Sequence, residues 1–152
     1  MKIARKSEYA FKALVRIAIN YQKGIASNLI YDIAERDQIP QKYLEQVLLN
    51  LKNSGILVSK RGMGGGYALA RPPAEISLGD ILRVIEGPIL DLNSPGTEKK
   101  LSANDITASL QSILAEVRQE VDRVVDNISL ETMAKRTSEL FEKKSAGQNY
   151  II

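Results

Sequence analysis

The 152-residue chain has no cysteine, no histidine and no tryptophan. Without cysteine there is no disulfide, no thiolate ligand for a metal and no thiol nucleophile. Without histidine the chain also lacks the side chain that most often acts as a general base near neutral pH, as a zinc ligand and as a triad member. No nucleophile with its activator and no paired acid and base can be assembled from what remains, so an enzyme is not expected. Long hydrophobic runs are missing too: no stretch approaches the roughly 20 apolar residues of a membrane span. The charged start, Met1 to Lys6, leads into the interrupted pattern YAFKALVRIAINY, which is not of signal-peptide type. A cytoplasmic protein with no membrane partner is the expectation. Aromatics are sparse at 5%, but 44% hydrophobic and 26% charged residues make an ordinary globular composition. The length suits one compact domain, or a small domain with a long appended element.

The net charge of +3 conceals an asymmetry. Residues 1–74 hold 12 Lys and Arg against 5 Asp and Glu, whereas the remainder holds 9 against 13. The first half is therefore the part suited to a polyanion, although charge alone fits a solvated surface equally well.

Apolar residues Tyr9, Ala10, Leu14, Ile17, Ala18 and Tyr21 fall at helical spacing after a Ser7-Glu8 cap, and Gly24 lies just beyond them. A short helix fits Leu29 to Arg36, opened by Ser27 or Asn28. After Ile39-Pro40, QKYLEQVLLNLKNSG reads as a third helix with Leu44, Val47, Leu48 and Leu51 turned inward and Gly55 as its stop. Ile56 to Lys60 and Tyr67 to Ala70 are β-prone runs, and Arg71-Pro72-Pro73 closes them. Ser77 and Asp80 form a capping-box pair for a fourth helix that ends at Gly87-Pro88. Residues 89–103 read as a polar loop. Beyond it, Ile106, Leu110, Ile113, Leu114, Val117, Val121, Val124, Val125 and Ile128 make a stripe along one long helix, best buried against a second copy. A last helix, LETMAKRTSELFEKK, frays into the polar tail SAGQNYII.

The glycine-rich segment SKRGMGGGY, residues 59–67, lies between the two strands. It lacks the Lys and Ser or Thr that a P-loop places after its last glycine at the mouth of a helix, and the dinucleotide spacing puts Tyr67 where a third glycine belongs. A hairpin tip explains the glycines better. Three helices followed by a hairpin make a winged helix-turn-helix, mainly α with a small β-hairpin wing. Lys60, Arg61, Gly62, Gly64, Gly65 and Gly66 then lie against a sugar-phosphate backbone or in a narrow minor groove. On the third helix, Gln41, Lys42, Tyr43, Glu45 and Gln46 form the face opposite the leucines, near the end that enters the major groove. Gln suits adenine, Lys guanine and Glu the cytosine amino group, while Lys2, Arg5 and Lys6 suit phosphates. Each of these is plain solvated surface if taken alone; together with the wing they point to double-stranded DNA.

The segments MKIARKSEYAFKAL, DIAERDQIPQKYLEQVLLNLKNSGIL, SKRGMGGGYALARPPAEISLGDILRVIEGP and, more weakly, DNISLETMA resemble the Rrf2 family of bacterial transcriptional regulators, the family of the IscR, NsrR, RirA and CymR types. The resemblance implies a winged helix-turn-helix domain over 1–88, a loop over 89–103 and a dimerisation helix with a C-terminal helix over 104–145. It also implies a homodimer on palindromic operators, with DNA contacts from Gln41 to Gln46 and from Lys60 to Gly66. Sensor members hold an iron-sulfur cluster beside the helix that ends here at Glu86, usually on three cysteines and one further ligand. The corresponding loop, LDLNSPGTEKKLSANDITA, contains neither Cys nor His. Ser94 and Asp105 fall near the positions of the first and last cysteines and are poor substitutes for thiolate. Asp91, Glu98 and Asp105, with Lys99 and Lys100 beside them, read as solvated loop charges and not as a hard-metal site. No metal and no cofactor are expected.

A DNA-binding regulator without a cluster is thus the leading expectation, with an effector, protein or small molecule, acting on the loop. The alternative is a protein-interaction module that forms a regulatory complex with a metabolic enzyme, DNA binding being secondary.

Overall fold

Ala10, Ala13, Leu14, Ile17 and Ala18 recur every three or four residues, and all are buried on one face of the first helix, α1 (Arg5–Gln22). The computed structural model describes residues 3–62, 66–89 and 105–149. The short α2 (Ile30–Arg36) and α3 (Gln41–Asn53) follow, and Leu44, Leu48 and Leu51 of α3 close onto α1 with no exposed surface. Burying each such leucine is worth about 1.5–3 kcal/mol. The turn between α2 and α3 is fixed from both sides. Ile39 is buried there, and the guanidinium of Arg16 forks onto Asp37 at 2.8 and 3.0 Å, a hydrogen-bonded pairing that raises the Arg16 pKa.

Two strands, β1 (Leu57–Lys60) and β2 (Gly66–Leu69), pair antiparallel, with Leu57 opposite Leu69 and Lys60 opposite Gly66. A single 3-10 turn, Pro73–Glu75, leads into α4 (Leu78–Glu86). The capping box is present in full. The Asp80 N–H donates to Ser77 Oγ at 2.9 Å, and the Ser77 N–H donates to Asp80 Oδ2 at 3.1 Å.

The long helix α5 (Asp105–Asp126) and α6 (Leu130–Asn149) complete the chain. The root of α5 is bound to α4: Arg83 reaches both oxygens of Asp126, at 2.8 and 3.0 Å, and Asp122 at 3.3 Å. The turn after α5 is strung along the chain before α4 by Leu78 N–H to Ile128 O and Leu130 N–H to Ile76 O, each 2.7 Å. From there α6 runs back over α1, burying Leu130 and Ala134 in the common core.

The structure corrects four local expectations. Helix α1 starts at Arg5, so Ser7 lies inside its first turn, fully buried, and is not a cap. Tyr21 is exposed, because the buried face of α1 ends at Ile19. Neither Ser27 nor Asn28 opens α2, whose flanking residue Leu29 supplies no side-chain cap. The segment Ser145–Asn149 continues α6, since its single Gly147 costs only about 1 kcal/mol and no proline interrupts it.

Candidate nucleic-acid interface

Because the leucines of α3 occupy its inner face, Gln41, Lys42, Tyr43, Glu45 and Gln46 are driven outward, and all five are exposed. Pro40 precedes the helix without a side-chain cap, and no acidic residue lies in the first turn. The positive end of the helix dipole is therefore exposed with no carboxylate in its first turn, an arrangement suited to phosphate. Gln41 Nε2 donates to Glu45 Oε1 at 3.3 Å, one turn along the same face. The Tyr43 ring leans on Tyr9 of α1, with centroids 6.2 Å apart and planes tilted by 48°. Arg5 and Lys6, both exposed, lie at the start of α1.

The wing presents Lys60, Arg61 and Gly62 to solvent. Gly62 has φ 102°, which favours glycine and lets the strand turn out at the tip. Gly66 is needed for a different reason. It is half-buried, and a Cβ on it would sit 2.1 Å from the backbone oxygen of Asn28. Lys2, Gly64 and Gly65 lie outside the described residues.

Asn28 and Asn20 join the wing to α1, a link that sequence reasoning missed. Asn28 is 4% exposed and exchanges two backbone hydrogen bonds with Tyr67 of β2, N–H to O at 2.9 Å and O from N–H at 2.8 Å. Its side chain donates to the same Tyr67 carbonyl at 3.0 Å and accepts from Asn20 Nδ2 of α1 at 2.6 Å. The only local signal was an Asn before a helix, which reads as an ordinary cap.

Along α5, Leu110, Ile113, Val117 and Val124 are exposed at 54, 55, 47 and 54%, and Ile106 and Leu114 are exposed as well. Val121, Val125 and Ile128 are half-buried. Ile113, Val117, Val121 and Val124 line a shallow apolar groove edged by Glu116 and Glu120. These side chains leave a continuous apolar strip exposed along one helix.

Of the loop over 89–103 only Ile89 is described; Asp91, Ser94 and Glu98 lie outside the described residues, as does the side chain of Asp105. Among the described residues no three acidic side chains are grouped as metal ligands, and no helix is long and apolar enough to cross a membrane.

A family model described as Rrf2, iron-dependent transcriptional regulator, matches residues 3–136. A helix-turn-helix-type transcriptional regulator of Synechocystis is 33% identical over 152 residues, the whole of both chains. Among solved structures, CymR, the global cysteine regulator of Bacillus subtilis, superposes with a TM-score of 0.72 at 30% identity, covering 90% of this chain and 98% of that one. The IscR of T. potens superposes with a TM-score of 0.70 at 31% identity, covering 92% and 90%. These relatives are regulators and not enzymes. Iron in a cluster is held by cysteine thiolates, in some centres with histidine, and this chain has neither residue. Its donor set does not fit such a group.

Proposed function

The chain belongs to the Rrf2 family of DNA-binding transcriptional regulators, and from that premise we propose that it binds a palindromic operator as a homodimer, without an iron-sulfur cluster of its own. The observation that carries this reading is the exposed N-terminal end of α3, uncapped and without an acidic residue in its first turn, together with the exposed Lys60 and Arg61 of the wing. Helix α3 enters the major groove, where Gln41, Lys42, Glu45 and Gln46 read base edges and Tyr43 flanks them. Lys60 and Arg61 of the wing and Arg5 and Lys6 of α1 neutralise phosphates, with Lys2 and the wing glycines completing the contact.

The apolar stripe of α5 supports the second copy. Two chains joined there by a twofold axis carry two α3 helices, which enter grooves about 10 base pairs apart or a multiple of that. On this reading residues 1–88 are the DNA-binding unit, 104–145 the dimerisation unit, and 89–103 the place where a protein or small-molecule effector acts, in the cytoplasm. A shift at the base of α5 would change the spacing of the two α3 helices.

Selection of bound duplexes from a random-sequence library by the purified chain tests the proposal. The expected result is an inverted repeat, enriched by protein that carries no stoichiometric iron. Enrichment of single half-sites, or none, would contradict it.

A further inference from the structure

We propose that Asn28 is a positioning residue for DNA binding: its carboxamide, held by Asn20, latches the wing to α1 and fixes the direction in which Lys60 and Arg61 meet the duplex. The inference rests on the reading of the wing as a DNA contact.

A two-stranded hairpin alone is marginal in water and free to swing about its base. Here it is given a third partner. The connector between α1 and α2 crosses β2 at Tyr67, whose carbonyl takes both the N–H and the side-chain Nδ2–H of Asn28, while the Tyr67 N–H returns to the Asn28 carbonyl. The Asn28 Oδ1 is turned toward α1 by Asn20 Nδ2. Asn20 directly follows Ile17, Ala18 and Ile19, which are buried in the core, so its position is set by the helix-turn-helix body and not by the wing. One buried amide thus joins the rigid body to the hairpin by hydrogen bonds on both sides. A buried polar group satisfied in this way fixes a single geometry, since every alternative strands a donor or an acceptor.

The latch lies close to the part it would aim. Tyr67 pairs with Ser59, the next pair outward is Lys60 with Gly66, and Arg61 follows. From Ser59, opposite the latch, to Arg61 is two residues, on the order of 7 Å along the strand direction. Gly66 lets the two backbones come this close, because any Cβ there would strike the Asn28 carbonyl.

The test is a pair of double-mutant cycles on the duplex that the wild-type chain enriches from a random-sequence library. Binding is measured at one salt concentration for wild type, Asn28→Ala, Asn20→Ala, Arg61→Ala and the two doubles with Arg61→Ala. If Asn28 aims the wing, Asn28→Ala lowers affinity on the order of fivefold to tenfold in the wild-type background and by a clearly smaller factor once Arg61 is gone and only Lys60 is left to aim, with Asn20→Ala following the same pattern. Asn20→Ala, at a half-buried position, keeps the test alive if truncating Asn28 unfolds the domain, and it should also speed hydrogen exchange at the Tyr67 amide. Equal losses in both backgrounds would show that the asparagines support only the fold, and would overturn the proposal. Arg61→Ala without effect would remove the wing from DNA, and the latch's role with it. Loss from Arg61→Ala with none from either asparagine would leave the wing reading intact and overturn the latch alone.

Discussion

Glu86, the last residue of α4, accepts hydrogen bonds from the Ser7 hydroxyl and from the backbone N–H of Ala4, the latter at 3.1 Å. A carboxylate 79 residues further along the chain than Ser7 therefore caps the start of α1. The contact joins the end of α4, where the chain departs toward the loop, to the turn that carries Arg5 and Lys6. The Ser7 bond, then the Ala4 bond, hold the Glu86 carboxyl below its ordinary range, with Lys6 nearby adding to the effect.

Glu86→Gln removes that charge and should destabilise the fold at pH 7. Because the folded pKa is depressed, the stabilisation is complete above the unfolded value of about 4.3 and disappears as pH falls through the lower folded value. The stability gap between wild type and Glu86→Gln, followed by urea denaturation, should narrow as pH drops below about 4. A gap that stays constant down to acid pH would mean that the charge plays no part.

Leu48→Ala should cost about 2–5 kcal/mol, because Leu48 has no exposed surface and Leu44, Leu51 and Ile81 of the same core are equally enclosed. Chemical denaturation reads this directly. A loss under 1 kcal/mol would show that α3 is not seated on the core as described.

Much of this was legible in the sequence because it is local. The leucine spacing of α3, the Ser77 and Asp80 pair and the turn glycines depend on neighbours a few residues away, and the structure returns them within a residue or so of their expected bounds. The cap of α1 was misread because Ser7-Glu8 looks like a local signal, whereas the partner that satisfies the helix end is Glu86. Asn28 was misread for the same reason: its partners, Tyr67 and Asn20, are brought to it by tertiary packing. The outward face of α3 was legible only as the complement of a buried one, which says where its side chains point and not which bases they meet.

Val117→Asp should leave the monomer folded, since Val117 is 47% exposed on the α5 stripe, and should split the proposed dimer by burying unpaired charge in its interface. Sedimentation should show half the wild-type mass with an unchanged far-ultraviolet circular dichroism spectrum. DNA affinity should fall together with the mass, because each half-site would then be bound alone. Unchanged mass would move the dimer interface elsewhere.

Gln46→Ala and Lys60→Ala should separate base reading from phosphate binding. Loss of a base contact from α3 should relax preference at one position in each half-site by about 1–3 kcal/mol with the salt dependence unchanged. Lys60→Ala should weaken binding to all sequences alike and, with one Lys60 lost from each protomer, lower the slope of log affinity against log salt by about 1.8. The opposite pattern would exchange the roles of helix and wing.

Hydroxyl-radical footprinting of the purified chain on its selected duplex tests the central claim most directly. The account predicts two equivalent protected patches related by a twofold axis, with their centres one helical turn or a whole multiple apart, and loss of the outer edge of each patch in Arg61→Ala. A single patch, or two patches that Arg61→Ala leaves whole, would contradict it.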